Sequence, residues 1–205
     1  MPRTRRKDAR PGEIIAAALA LFADRGYAAT KLEDVATAAG ISKGTIYLYF
    51  PTKEELFRAV VRQAVLPNLE AAEAQFSRHE GSCGELLRVL AQRFLQLLDS
   101  DLTAVPKLVV AESGNFPAIA QFYADAVLRR AFALIEGILT RGMQRGEFRR
   151  TDVHAVLPLF AGPFLLLALW KHSLGRHTDL TFDARAVVQA HLDVLLRGLS
   201  AEQAS

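Results

Sequence analysis

The 205-residue sequence predicts an all-α fold: an N-terminal three-helix helix-turn-helix unit followed by a larger helical body, about nine helices in all. Three observations carry that expectation. Apolar residues recur at three- and four-residue spacing along nearly the whole chain, the period of one helix face. Thr30 with Glu33, Thr52 with Glu55 and Ser82 with Glu85 each form a pattern in which two side chains satisfy free amides at a helix start. Nowhere do apolar and polar residues alternate as they would in a half-buried strand.

The first helix is expected over residues 11–26. Ile14, Ile15, Ala18, Leu19, Leu21 and Phe22 fall on one stripe, and Gly26 is a stop signal. It supplies the third element that a helix-turn-helix pair needs to close a core. Thr30 opens the second helix, with Val35, Ala36 and Ala39 inside, and Gly40 provides the left-handed turn that residues with a Cβ adopt only at a cost. Ser42 caps the third helix. With Ile46 set inward and 100° per residue, Tyr49 and Phe50 fall on the inner side, whereas Gly44 and Leu48 point most directly away, flanked by Thr45 and Tyr47. Solvation favours Lys, Glu or Gln on an outer face; Gly, Thr, Leu and Tyr there make a contact surface.

Pro51 ends that helix, and Thr52 starts a fourth carrying Leu56, Val60 and Val61, which Pro67 breaks or kinks. After a loop at residues 79–83, Leu87, Leu90, Phe94 and Leu97 mark a fifth helix. A short one follows at residues 106–112, then one from Pro117 toward Gly146. Residues 153–170 form an uncharged helix, and Val188, Leu192, Leu195 and Leu199 stripe the last. The organisation is a basic flexible arm (1–10), a helix-turn-helix domain (11–55) and a helical body (56–200).

Composition excludes several classes. With 51% apolar and 23% charged residues the chain is neither disordered nor collagen-like. A single cysteine, Cys83, rules out an internal disulfide and a cysteine-rich metal site, and the five histidines lack zinc-ligand spacing. No metal, cofactor or catalytic residue is expected. The uncharged stretch of residues 153–170 falls short of the ~20 residues of a membrane span and contains two prolines and a glycine, so a buried, kinked helix is the reading. The arm leads into an amphipathic helix rather than an apolar signal core, and the expected compartment is the cytoplasm. Of the net charge of +3, the arm supplies the whole N-terminal surplus. It holds five basic residues and one acidic, whereas residues 11–62 balance at six against six.

The run TKLEDVATAAGISKGTIYLYFPTKEELF closely resembles the DNA-binding module of the tetracycline-repressor (TetR) family of bacterial transcriptional regulators, through its Gly-Thr-Ile-Tyr-Leu-Tyr-Phe core and the lysine just after it. ESGNFPAIAQFY is similar to a body segment seen in part of that family. The resemblance implies DNA contacts at Thr30, Ser42, Lys43, Gly44, Thr45, Tyr47, Leu48, Tyr49 and Lys53. Gly44 lets backbone approach the duplex, Thr45 and Leu48 meet base edges, and Thr30, Tyr47 and Lys53 meet phosphate. Lys43 suits either. Thr30 and Ser42 read equally as plain helix caps.

The resemblance implies a double-stranded operator for the helix-turn-helix and, for the body, a homodimer and a small-molecule effector; the shortness and prolines of residues 153–170 leave no membrane partner expected. Candidate pocket residues are Phe94, Glu112, Asn115, Phe116, Phe122, Tyr123, Phe164 and His172. Candidate dimer-interface residues are Leu157, Leu165, Val188, Leu192, Leu195 and Leu199. Aromatic stripes of this kind also serve as plain core. The rival reading is a helical ligand-binding or scaffolding protein that reads no DNA sequence.

Overall fold

The structure, a computed structural model, describes the backbone of residues 3–201 and the side chains of residues 11–201. Its helices are α1 (Arg3–Arg25), α2 (Leu32–Ala38), α3 (Lys43–Tyr49), α4 (Lys53–Val60), α5 (Leu66–Arg78), α6 (Cys83–Leu97), α7 (Ala104–Glu112), α8 (Pro117–Tyr123), α9 (Arg129–Gln144), α10 (Val153–His172) and α11 (Ala184–Leu199). Single π-turns at Val61–Val65 and Ala124–Leu128 carry α4 into α5 and α8 into α9. Counting each pair as one rod gives nine helices among the described residues, as the periodicity predicts. The rod containing α4 and α5 therefore runs past Pro67 without ending. Residues 3–10 belong to the helix that continues through Pro11; the side chains of the basic arm lie outside the described residues.

Two apolar cores hold the molecule. The first joins α1 to α4 with α7 and α8 through Ile14, Phe22, Tyr27, Ile46, Phe57, Leu108 and Ile119. The second joins α6, α9, α10 and α11 through Leu86, Leu87, Ile138, Leu139, Phe160 and Leu192. The helix-turn-helix does not close its core alone; it shares one with the α7–α8 corner of the body.

Local chemistry sets the helix ends. Ser82 Oγ accepts from the Glu85 amide at 3.1 Å and Glu85 Oε2 accepts from the Ser82 amide at 3.0 Å, the full reciprocal cap. Thr52 makes its half, accepting from the Glu55 amide at 3.1 Å. The expected Thr30–Glu33 cap is absent. α2 begins a residue later, where Asp34 Oδ2 accepts from the Lys31 amide at 3.2 Å, and Thr30 is fully buried with its hydroxyl donating to Gly26 O at 2.7 Å. Thr30 thus closes the end of α1. Gly26 and Gly40 hold φ of 84° and 64°, the left-handed turns that their lack of a Cβ permits.

The expected dimer face needs correction. Leu157, Val188, Leu192 and Leu199 are buried in the protomer's own second core, and Leu195 packs against it. Only Leu165 of the expected set is exposed. Stripes on other sides of the same two helices stand open instead: Ala155, Leu159, Gly162 and Leu166 on α10, and Ala186, Ala190 and Val194 on α11. At 20 residues α10 is long and apolar enough to cross a membrane by composition, but its other side is embedded through Val156, Phe160, Leu167 and Ala168.

Candidate nucleic-acid interface

α3 presents the face that its wheel predicts. Ile46 is fully buried and Tyr49 packs against the first core, while Leu48 is 85% exposed and Gly44 open. Ser42 Oγ accepts from the Thr45 amide at 3.2 Å and lies 2.7 Å from Thr45 Oγ1, so capping and the orientation of Thr45 are one arrangement. Lys43 and Tyr47 sit on the rim of this face, and both reach Glu33 on α2: Lys43 Nζ at 2.8 Å and the Tyr47 hydroxyl at 3.0 Å, on the same carboxylate oxygen. Chiefly the Lys43 hydrogen bond, with the residue's own amide and Tyr47 adding to it, holds the Glu33 carboxyl down at about 2. The outermost patch, Gly44, Thr45 and Leu48, carries no charge.

Two expected phosphate contacts lie elsewhere. Thr30 is buried. Lys53 donates to Tyr27 O at 2.7 Å and Ala28 O at 3.1 Å, with its ammonium 4.4 Å from the centre of the Tyr27 ring and 5.7 Å from that of Phe116. Burial lowers its pKa. Lys53 is thereby committed to the loop between α1 and α2, and sequence alone gives no sign of this because its partners are backbone carbonyls 25 and 26 residues away.

Sequence reasoning also misses Tyr27. Its ring packs on Phe22 at 5.5 Å, Phe57 at 5.8 Å and Phe116 at 4.9 Å, tying α1, α4 and the α7–α8 corner together. Burial first, then the charges of Glu54 and Glu112, push its hydroxyl up to about 12. Beside it, Glu112 Oε1 accepts from the Ala28 amide at 3.0 Å. Glu112 and Phe116, from the segment ESGNFP, are therefore parts of a joint between body and helix-turn-helix.

Residues 14–60 match the bacterial regulatory proteins of the tetR family, and residues 77–190 match the tetracyclin repressor-like C-terminal domain. The second match alone covers more than half of the chain. This chain belongs to the tetR family. It is 27% identical over 190 residues to the fatty acid metabolism regulator protein of Bacillus subtilis, covering 91% of this chain and 94% of that one. It is 25% identical over 217 residues to the transcriptional repressor KstR2 of Mycobacterium tuberculosis, covering 95% of each. The crystal structure of the regulator FadR from Bacillus subtilis in complex with stearoyl-CoA superposes with a TM-score of 0.77 at 25% identity, covering 92% of this chain and 98% of that one. The family and these relatives are transcriptional regulators, not enzymes, and this TetR-family chain is a DNA-binding transcriptional regulator.

Within the regulator's body the expected pocket residues lie in different packing environments. Phe94 and Phe164 meet edge to face at 4.9 Å in a cluster with Phe160 and His191. Phe122 lies under the guanidinium groups of Arg58 and Arg62, at 5.1 and 5.5 Å. Tyr123 is buried in the first core, and Asn115 is exposed. His172 is buried 2.8 Å from Thr103 Oγ1. These residues divide because the body has two cores and a joint, a tertiary arrangement that helical periodicity does not encode. A different cleft of about 460 Å³ opens between α6 and α11, lined by apolar Leu95, Val188 and Leu192 and by charged Arg88, Arg185 and Asp193. Cys83 is buried, and burial followed by the charge of Glu147 raises its pKa, making it an inert thiol. Among the described residues no group of acidic, histidine or cysteine side chains is arranged to hold a metal ion.

Proposed function

We propose that this regulator is a cytoplasmic, ligand-responsive homodimeric repressor that binds a palindromic operator and is released by a small molecule. The observation that carries the reading is the outward face of α3. Its nearly bare, uncharged centre at Gly44, Thr45 and Leu48, held by the Ser42 cap, suits close approach to base edges, with Leu48 able to meet a thymine methyl. Lys43 and Tyr47 on its rim supply phosphate contacts, Tyr49 orients the helix from within, and the basic arm adds salt-dependent attraction. The functional units are the arm at 1–10, the reading unit at 11–55 and the sensing and pairing body at 56–200.

Dimerisation uses the open stripes of α10 and α11. Ala186 and Ala190 admit close approach of a second helix, and Leu159, Leu166 and Val194 give it apolar surface. Two recognition helices must stand about one DNA turn apart, ~34 Å, or a multiple of it. A tilt transmitted through the Glu112–Phe116 joint changes that separation and lowers operator affinity, and affinities for effector and operator are reciprocally linked. The α6–α11 cleft sets two guanidinium groups, Arg88 and Arg185, against the single carboxylate of Asp193 beside an apolar wall, a lining that suits an amphipathic anion, a class that includes the stearoyl-CoA bound by the Bacillus subtilis regulator.

Selection from a random duplex pool tests the core of this reading. Enrichment of a palindrome is the expected result; binding that is only non-specific and salt-sensitive sinks it. Stearoyl-CoA raising the melting temperature and displacing the selected duplex is expected of the effector assignment.

A further inference from the structure

Glu33 stands at the edge of the reading face and is absent from the set of groups expected to touch DNA. It reaches from α2 to two residues one turn apart on α3, with a single oxygen, Oε1, 2.8 Å from Lys43 Nζ and 3.0 Å from the Tyr47 hydroxyl. All three residues are accessible, with the Lys43 side chain 69% exposed and that of Glu33 38%. An anionic oxygen accepting from an ammonium and a phenol is the arrangement that a DNA phosphate would make with the same two donors.

We propose that Glu33 sets the regulator's discrimination between operator and bulk DNA, its carboxylate standing in for a phosphate on Lys43 and Tyr47 until a fitting site takes both donors over. The inference rests on α3 being the reading helix. Non-specific attraction grows with the number of phosphates neutralised, and a lysine already neutralised by Glu33 adds nothing to it. At a matching site Thr45 and Leu48 seat in the groove, Lys43 and Tyr47 are carried to the backbone, and the base contacts offset the loss of the internal pair. Elsewhere no such gain exists and the pair stays closed. Within the balanced charge of residues 11–62, the Lys43 ammonium on the rim of the reading face is cancelled in place by Glu33.

The test is salt-dependent anisotropy of the full-length protein on a scrambled duplex and on the palindrome recovered by selection, for wild type, Glu33→Gln, Lys43→Gln and the double variant. One lysine–phosphate contact contributes a slope of about 0.9 in log affinity against log salt, or about eightfold in affinity for each tenfold dilution of salt. Glu33→Gln is expected to steepen the scrambled-duplex slope by about 0.9 per protomer and to leave the operator slope unchanged, so that discrimination falls. The gain must vanish when Lys43 is also Gln, a non-additivity that mere removal of a surface charge does not produce. An unchanged scrambled-duplex slope in Glu33→Gln, or a gain that persists without Lys43, overturns the inference alone. A wild-type protein that enriches no palindrome overturns the DNA-reading assignment and the inference with it.

Discussion

The Glu112 carboxylate accepts a 3.0 Å hydrogen bond from the Ala28 amide across 84 residues of sequence, tying the last turn of α7 to the loop that precedes α2. With Lys53 on the carbonyls of Tyr27 and Ala28 and Phe116 on the Tyr27 ring, the loop is held on both its donor and acceptor sides. Glu112→Ala removes the carboxylate acceptor of this amide. A hydrogen bond to a charged group contributes about 1.5–3 kcal/mol, and partial exposure places this one at or below the lower end. The melting temperature should fall by about 2–4 °C per kcal/mol lost. Faster amide hydrogen exchange confined to the residue 26–30 loop checks the assignment; unchanged exchange there counts against it.

Leu48 and Ile46 lie two positions apart on α3 with opposite exposures, 85% and 0%. Truncating Ile46 to Ala costs about 2–5 kcal/mol of stability through the cavity that it leaves. Leu48→Ala should change stability by no more than about 0.5 kcal/mol, since none of the described residues covers it. Its effect should fall on sequence preference, with weakened selection at one base pair per half-site in a repeat of the random-pool experiment. Equal enrichment at every position would remove Leu48 from the reading face.

These paired residues also mark what the sequence makes legible. The inward turn of Ile46, the outward turn of Gly44 and Leu48, the Ser42 and Ser82 caps and the left-handed turn at Gly40 all follow from spacing within a single helix or turn, where geometry is local. Lys53 is positioned by backbone carbonyls 25 and 26 residues away, and a residue number does not reveal which carbonyl will be near, whereas Thr30 turns back to the Gly26 carbonyl four residues before it and closes α1 instead of opening α2. The stripe of Val188, Leu192 and Leu199 is real, but periodicity identifies a face without saying whether its partner is the same chain or a second copy. The pocket set scatters because aromatic residues in a helical body mostly fill its cores.

The open stripes on α10 and α11 lead to an oligomerisation test. Val194 is 73% exposed and Leu166 51% exposed within the protomer. A charge introduced at either is harmless to a monomer but is desolvated without a partner if the stripe is buried between copies. Leu166→Glu and Val194→Glu should each shift light scattering from dimer toward monomer while keeping the helical circular-dichroism spectrum. Val188→Glu, aimed into the protomer's own core, should instead unfold the chain, separating the two faces of α11.

His172 gives the pH prediction. It is buried on α10 beside Thr103, and burial, reinforced by the nearby charges of Lys171 and Arg176, lowers its pKa below the ordinary histidine value of about 6.5. A histidine kept neutral in the folded state binds its proton more readily when unfolded. The unfolded chain therefore gains protons first as pH falls through about 6.5, and the stability present at higher pH is lost progressively below it. His191, whose pKa burial also lowers, acts in the same direction. Thermal melts of wild type should show a falling melting temperature from pH 7.5 to pH 5.5. His172→Gln retains a polar group for Thr103 without the titration and should flatten that decline, leaving the His191 contribution. An unaltered slope in His172→Gln would show that the Thr103–His172 contact does not govern the acid response.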